Sequence, residues 1–177
     1  IVPPAIFGHE LAGVICQVGD QVEQFEEGMR VVAANSAPCN HCLYCRKDLE
    51  NLCENLLFNN GAYAEYIKIP GPIVRKNMLE IPDHIGFRDA ALAEPLACVL
   101  RGLEETRLHR RDSLAVIGLG PIGLMFVQLA KLRGCSVIAV GKRPSQAQAA
   151  LHMGADEVID ISETPDPVAA AARTTGS

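Results

Sequence analysis

The sequence contains no tryptophan, and aromatic residues make up only 5% of its 177 positions. Apolar residues still reach 49%, so a sizeable core must come from aliphatic side chains. Gly, Pro or charge interrupts every apolar run well short of the ~20 residues that a membrane-spanning helix needs. No basic stretch followed by an apolar one opens the chain, which argues against a signal peptide. The net charge is -5 and the basic residues are scattered, which argues against nucleic acid or an anionic membrane as partner. Internal repeats and low-complexity tracts are also missing. Seven cysteines without a secretory signal point to a reducing, cytoplasmic setting and to metal ligation. The opening Ile1-Val2-Pro3-Pro4 and the closing Arg173-Thr174-Thr175-Gly176-Ser177 both read as cuts through a longer chain.

Two regions differ in pattern. Residues 1–86 read as all-β, with alternation over Val14, Cys16 and Val18 and further strands at 29–33 and 64–69. A cysteine lobe at about 36–56 interrupts them. From 87 onward helical and strand patterns alternate. A helix spans about 88–105, with Leu92, Leu96, Val99, Leu100 and Leu103 on one face and Pro95 as a kink or restart. Strands at 114–117, 136–140 and 157–161 then alternate with helices at 121–133, 144–153 and from 166. Gly134 and Gly154 close the first two of these helices.

Cys39, Cys42, Cys45 and Cys53 are spaced C-x2-C-x2-C-x7-C. Short returns of this kind bring four thiolates to one point, as a closed tetrahedral zinc site requires. Disulfides fit poorly at a spacing of three residues, and iron–sulfur runs usually carry other spacings and a following proline. His41 lies inside the run and reads as a bystander. Cys16, Cys98 and Cys135 read as small core hydrophobes.

Gly118-Leu119-Gly120-Pro121-Ile122-Gly123 is a G-x-G-x-x-G turn between an apolar strand and a helix. Its glycines allow the tight turn, the approach of a pyrophosphate and close helix–strand packing, and Pro121 and Ile122 open the helix whose free N–H groups face the anion. The next strand ends at Gly141 rather than at the acid that would hold an NAD ribose. Lys142 and Arg143 follow. Gly141 removes repulsion, and Arg143 offers a planar fork to a 2′-phosphate, so NADP is favoured over NAD. The alternative is a pair of solvated surface cations.

Gly8-His9-Glu10 continues as G-H-E-x-x-G-x5-G-x2-V through Gly13, Gly19 and Val22. An isolated His is more often a satisfied residue than a ligand, but the glycine pattern raises its weight.

These motifs together resemble the zinc-dependent medium-chain alcohol dehydrogenases. Gly8-His9-Glu10 resembles that family's zinc signature, the cysteine lobe its structural-zinc loop, and 118–123 its cofactor turn. Gly28-Met29-Arg30-Val31 resembles G-D-R-V, with Met29 where Asp is common, and Gly61-Ala62-Tyr63-Ala64-Glu65-Tyr66 resembles its G-x-[FY]-A-E-Y strand. Glu94-Pro95-Leu96 looks like the E-P-L element of the polyol (sorbitol) and threonine dehydrogenase branch.

The resemblance implies a partial GroES-like β-barrel catalytic domain over 1–86 and the first half of a Rossmann domain over 87–177. It implies His9, Glu10 and Glu94 at a catalytic zinc and Cys39, Cys42, Cys45 and Cys53 at a structural zinc. It also implies a small alcohol or ketone substrate and a homo-oligomer. The family's upstream cysteine ligand and proton-relay Ser or Thr would precede residue 1, so the 177 residues alone are not expected to turn over. Two rivals remain: a family member that has lost turnover, and a zinc-free enone reductase on the same scaffold, against which the G-H-E and the cysteine lobe both speak.

Overall fold

In the computed structural model, residues 5–175 are described; Ile1-Val2-Pro3-Pro4 and Gly176-Ser177, where the two apparent cuts were read, lie outside them. The chain forms two compact units, 1–94 and 95–177.

The first unit holds β1 (Leu11–Val14), β2 (Arg30–Ala33), β3 (Ser36–Ala37), β4 (Leu57–Phe58), α1 (Gly71–Asn77), β5 (Met78–Glu80) and α2 (Phe87–Ala90). α3 (Ala93–Glu105) begins in it and continues into the second unit. β1, β2 and β5 form an antiparallel sheet in that order, and β3 pairs with β4. Successive residues of β2 feed opposite faces, as a pleated strand requires. Val31 and Ala33 join Ala37, Ile73, Val74 and Met78 in one core, while Val32 joins Ile81 and Ala90 in another.

The second unit is a parallel sheet, β6 (Ser113–Ile117), β7 (Ser136–Gly141) and β8 (Glu157–Asp160), in that order. α4 (Pro121–Leu132) links β6 to β7, α5 (Pro144–His152) links β7 to β8, and α6 (Pro167–Thr175) follows. Val137 and Ala139 face a core with Leu103, Val116, Leu119, Val127 and Ala150. Ile138 and Val140 face the other side with Ile159, Ala170 and Ala171. Apolar residues on both faces of β7 are the mark of a sheet covered on both sides.

The structure departs from the sequence reading in several places. β1 lies earlier than the Val14–Cys16–Val18 alternation, and Cys16 is exposed rather than buried. Cys98 is exposed too, whereas Cys135 is buried at 2% exposure. Residues 64–69 form no strand, because alternation yields a strand only beside a pairing partner, and none is recorded for this segment among the described residues. The all-β region contains a helix, α1, whose Pro70-Gly71-Pro72 opening reads as a turn. The long helix restarts: α2 ends at Ala90 and α3 places Pro95 in its first turn, where a missing N–H costs nothing. Of its expected face only Val99 and Leu103 are buried; Leu92, Leu96 and Leu100 are exposed.

Candidate metal and cofactor sites

The cysteine lobe hangs between β3 and β4. Two short 3-10 turns, Cys45–Lys47 and Glu50–Leu52, fold the chain back, with left-handed residues at Asn40 and Asp48. Cys42 Sγ lies 3.5 Å from Cys45 Sγ, and Cys39 Sγ lies 4.0 Å from Cys45 Sγ. All four sulfurs fall within 4.8 Å of one another. Four thiolates at ~2.3 Å around one zinc would stand about 3.8 Å apart. The donor set therefore fits the ion, and all four cysteines are free of disulfides.

Backbone N–H groups favour the charged form of two of the sulfurs. N–H groups of Cys45 and Glu54 draw the Cys42 thiol down to about 6. The His41 N–H lowers Cys39. Cys45 goes the other way, to about 12, through burial and then the neighbouring Cys42 and Cys53 sulfurs. One cation at the centre would relieve that crowding. His41 turns its Nδ1 to the Cys39 carbonyl at 2.8 Å and is not among the four clustered donors. Lys76 of α1 braces the lobe by donating to Asn40 Oδ1 at 2.9 Å and pairing with Glu50. Sequence reading missed Lys76, since nothing local links it to residues 36 and 26 positions earlier.

His9, Glu10 and Glu94 offer ligand atoms that also lie within 4.8 Å of one another. His9 and Glu10 are exposed, and Glu94 is half-buried. His9 follows a turn at Gly8, whose φ is +91°. The Gly8 carbonyl accepts N–H bonds from Gly61 at 2.9 Å and Ala62 at 3.1 Å, and the Tyr63 N–H reaches the Phe7 carbonyl at 2.9 Å. Glu94 arrives from the other direction, in the first turn of α3. Ala12 and Ala93, near the two arms of the cluster, pack on the same small core of Val32, Ile81 and Ala90. A histidine and two carboxylates are N/O donors of the kind that an open zinc site uses.

The 118–123 turn joins β6 to α4. The Gly118 N–H bonds the Val140 carbonyl at 2.9 Å, tying the turn to β7. A Cβ on Gly123 would stand 1.9 Å from the Gly118 carbonyl oxygen, so only glycine allows this approach. Gly120 caps α4 without a side-chain bond, and Pro121 fills the first turn, leaving the helix N-terminus open to an anion. A cavity of about 520 Å³ lies beside it, lined by Gly118, Gly120, Pro121, Ile122, Gly123 and Phe126, among others. At the end of β7, Lys142 and Arg143 are exposed, and Arg143 occupies the position before α5 without a side-chain bond to the helix. A Cβ on Gly141 would meet Leu119 Cδ1 at 2.9 Å, a contact between distant residues that sequence could not reveal.

Two family models match the chain. The alcohol dehydrogenase GroES-like domain covers residues 1–83, and the zinc-binding dehydrogenase domain covers 121–177. This chain belongs to the zinc-dependent alcohol dehydrogenase family. It is 36% identical to a sorbitol dehydrogenase of Bacillus subtilis (strain 168), over 90% of this chain and 46% of that protein. It is 36% identical to an L-threonine 3-dehydrogenase of Bacillus licheniformis, over 94% and 48%. A solved Sinorhizobium meliloti 1021 structure, described as a zinc-binding dehydrogenase bound to NADP, superposes with a TM-score of 0.85 at 33% identity, covering 92% of this chain and 48% of that one. The chain thus spans about half the length of the relatives it matches. Within this family the first unit is part of a GroES-like domain and the second is the first half of a Rossmann domain. No helix among the described residues is long and apolar enough to cross a membrane.

Proposed function

We propose that the intact protein transfers a hydride, reversibly, between NADP and a secondary alcohol, polyol or amino-alcohol. The observation that carries this reading is the convergence of Glu94, distant in sequence, with the neighbouring His9 and Glu10 into a cluster within 4.8 Å. In this reading these side chains hold a catalytic zinc, and Cys39, Cys42, Cys45 and Cys53 hold a structural one. Zinc supplies a Lewis acid that lowers the pKa of a bound hydroxyl or polarises a ketone. The nicotinamide supplies the redox chemistry.

The chain's own residues bind and orient. His9 would offer an imidazole nitrogen and Glu10 and Glu94 carboxylate oxygens, a mixed N/O set of the kind that suits a catalytic rather than a structural zinc. The 118–123 turn presents backbone N–H groups to the pyrophosphate. Gly141, Lys142 and Arg143 favour a 2′-phosphate, Arg143 through its fork and Lys142 as a point charge. The polyol and threonine dehydrogenases among the relatives support the substrate class.

The test is kcat/KM on a panel of polyols, simple secondary alcohols and L-threonine with each cofactor, for the intact parent and His9→Ala. The reading expects turnover in the parent and its loss in the variant, with the structural zinc retained. Equal turnover in the two proteins would refute the assignment.

A further inference from the structure

The His9–Glu10–Glu94 cluster depends on two chain segments held very differently. The arm bearing His9 and Glu10 runs straight into β1, which pairs with β2 along its length, from Leu11↔Ala33 to Val14↔Arg30. The arm bearing Glu94 is reached through an irregular loop at 81–86 and the four-residue helix α2. Its apolar anchors include Ala90 and Ala93, each with a single methyl group, beside Ile81 and Ile85.

Arg30, the first residue of β2, spans this weak segment. Its carbonyl accepts the Ile81 N–H at 2.8 Å, fixing the loop's start. Its Nη1 lies 3.3 Å from both the Pro82 and Asp83 carbonyls, and its Nη2 donates to the Ile85 carbonyl at 2.6 Å. Its guanidinium carbon then sits 4.7 Å above the centroid of Phe87, the first residue of α2. One residue thus holds the whole loop, its backbone at Ile81 and its side chain from Pro82 to Phe87. The planar fork serves three carbonyls and a ring face at once; a lysine ammonium has neither the spread nor the flat face.

We propose that Arg30 is a positioning residue for the metal cluster. It holds the 82–87 segment so that α2 and the first turn of α3 deliver Glu94 to His9 and Glu10. This rests on the reading of that cluster as a metal site. Groups that orient metal ligands usually change affinity about 10–100-fold when lost.

The test is Co2+ titration of the metal-free intact protein, for the parent, Arg30→Met, Arg30→Lys, Phe87→Leu and His9→Ala. Thiolate and N/O sites absorb differently, so the two clusters are read separately. Both Arg30 variants should weaken Co2+ at the His9 cluster by about tenfold or more, with the cysteine cluster unchanged. Phe87→Leu, which removes only the ring contact, should fall between them and the parent, and it keeps the test alive if Arg30→Met fails to fold. Unchanged affinity at the His9 cluster overturns the proposal. So does equal weakening at both clusters, which would mean only a general loss of stability. If His9→Ala binds as the parent does, the metal-site reading itself fails, a result distinct from loss in His9→Ala without loss in the Arg30 variants.

Discussion

Tyr63 lies so close against Gly8 that a Cβ added to the glycine would stand 2.6 Å from the tyrosine Cδ1. Gly8 also holds φ at +91°, a conformation that side-chain-bearing residues rarely adopt. The turn that launches His9 is therefore constrained twice. Gly8→Ala should destabilise the protein by about 1–3 kcal/mol through strain alone, and more with the collision. Adding Tyr63→Ala should recover only the collision part. Thermal melting of the single and double variants checks this, and full recovery in the double variant would show that backbone strain contributes nothing.

The cysteine lobe carries almost no apolar core of its own; among the described residues between β3 and β4 only Pro38, Cys42 and Cys45 are buried. Removing the zinc proposed for it should unfold residues of the lobe while the β1–β2–β5 sheet stays folded. Hydrogen exchange after chelation should speed up at 39–54 and change little at β2. Cys45→Ser should mimic chelation, since it removes the sulfur that lies against both Cys42 and Cys39. Protection that survives chelation would show that Lys76 and the turns suffice without an ion.

Asp156 links α4 to the parallel sheet. Both its oxygens lie 2.8 Å from Lys131 Nζ, and it accepts the Val137 N–H at 2.7 Å. Burial alone would raise its pKa, but Lys131 and the Val137 N–H hold it below the usual carboxylate range. A carboxylate depressed in the folded state adds stability above its unfolded pKa, near 3.9, and loses it as pH falls through the folded value. Asp156→Asn should therefore cost stability at neutral pH, by about 1 kcal/mol or less because the pair is half exposed, and the deficit should shrink in acid. Denaturant melts at neutral pH and at about pH 3 test the sign; a deficit that grows in acid would contradict it.

Cofactor choice should follow Arg143. Arg143→Ala should lower NADP affinity by about one to two decades and leave NAD affinity nearly unchanged, since charged hydrogen bonds of this type contribute roughly 1.5–3 kcal/mol. Gly141→Asp should add affinity for NAD, but less than its charge alone predicts, because Leu119 must give way to the new side chain. Isothermal titration with each dinucleotide decides the matter. A parent that already prefers NAD tenfold would mean that Lys142 and Arg143 are ordinary surface charges.

The second unit was legible because its signals are local. An apolar strand, a glycine turn and a helix with Pro121 at its start lie within adjacent residues, and β6, α4 and β7 follow that pattern to within a residue. The cysteine lobe was legible for the same reason. The first unit was harder. Residues 64–69 alternate like a strand, but a strand needs a partner, and partnership is tertiary. α1 is too short for periodicity to register, and its prolines imitate a turn. The bracing of the lobe by Lys76, the packing of Tyr63 on Gly8 and the reach of Arg30 to the 82–87 segment are contacts between distant residues, which no local pattern encodes.

We propose that the family's two metal sites are built here by Cys39, Cys42, Cys45 and Cys53 and by His9, Glu10 and Glu94. The most direct measurement is the zinc content per chain of the intact protein and its His9→Ala variant. Two ions are expected in the parent and one in the variant, the survivor being held by the cysteines. An identical zinc count in both proteins would contradict it.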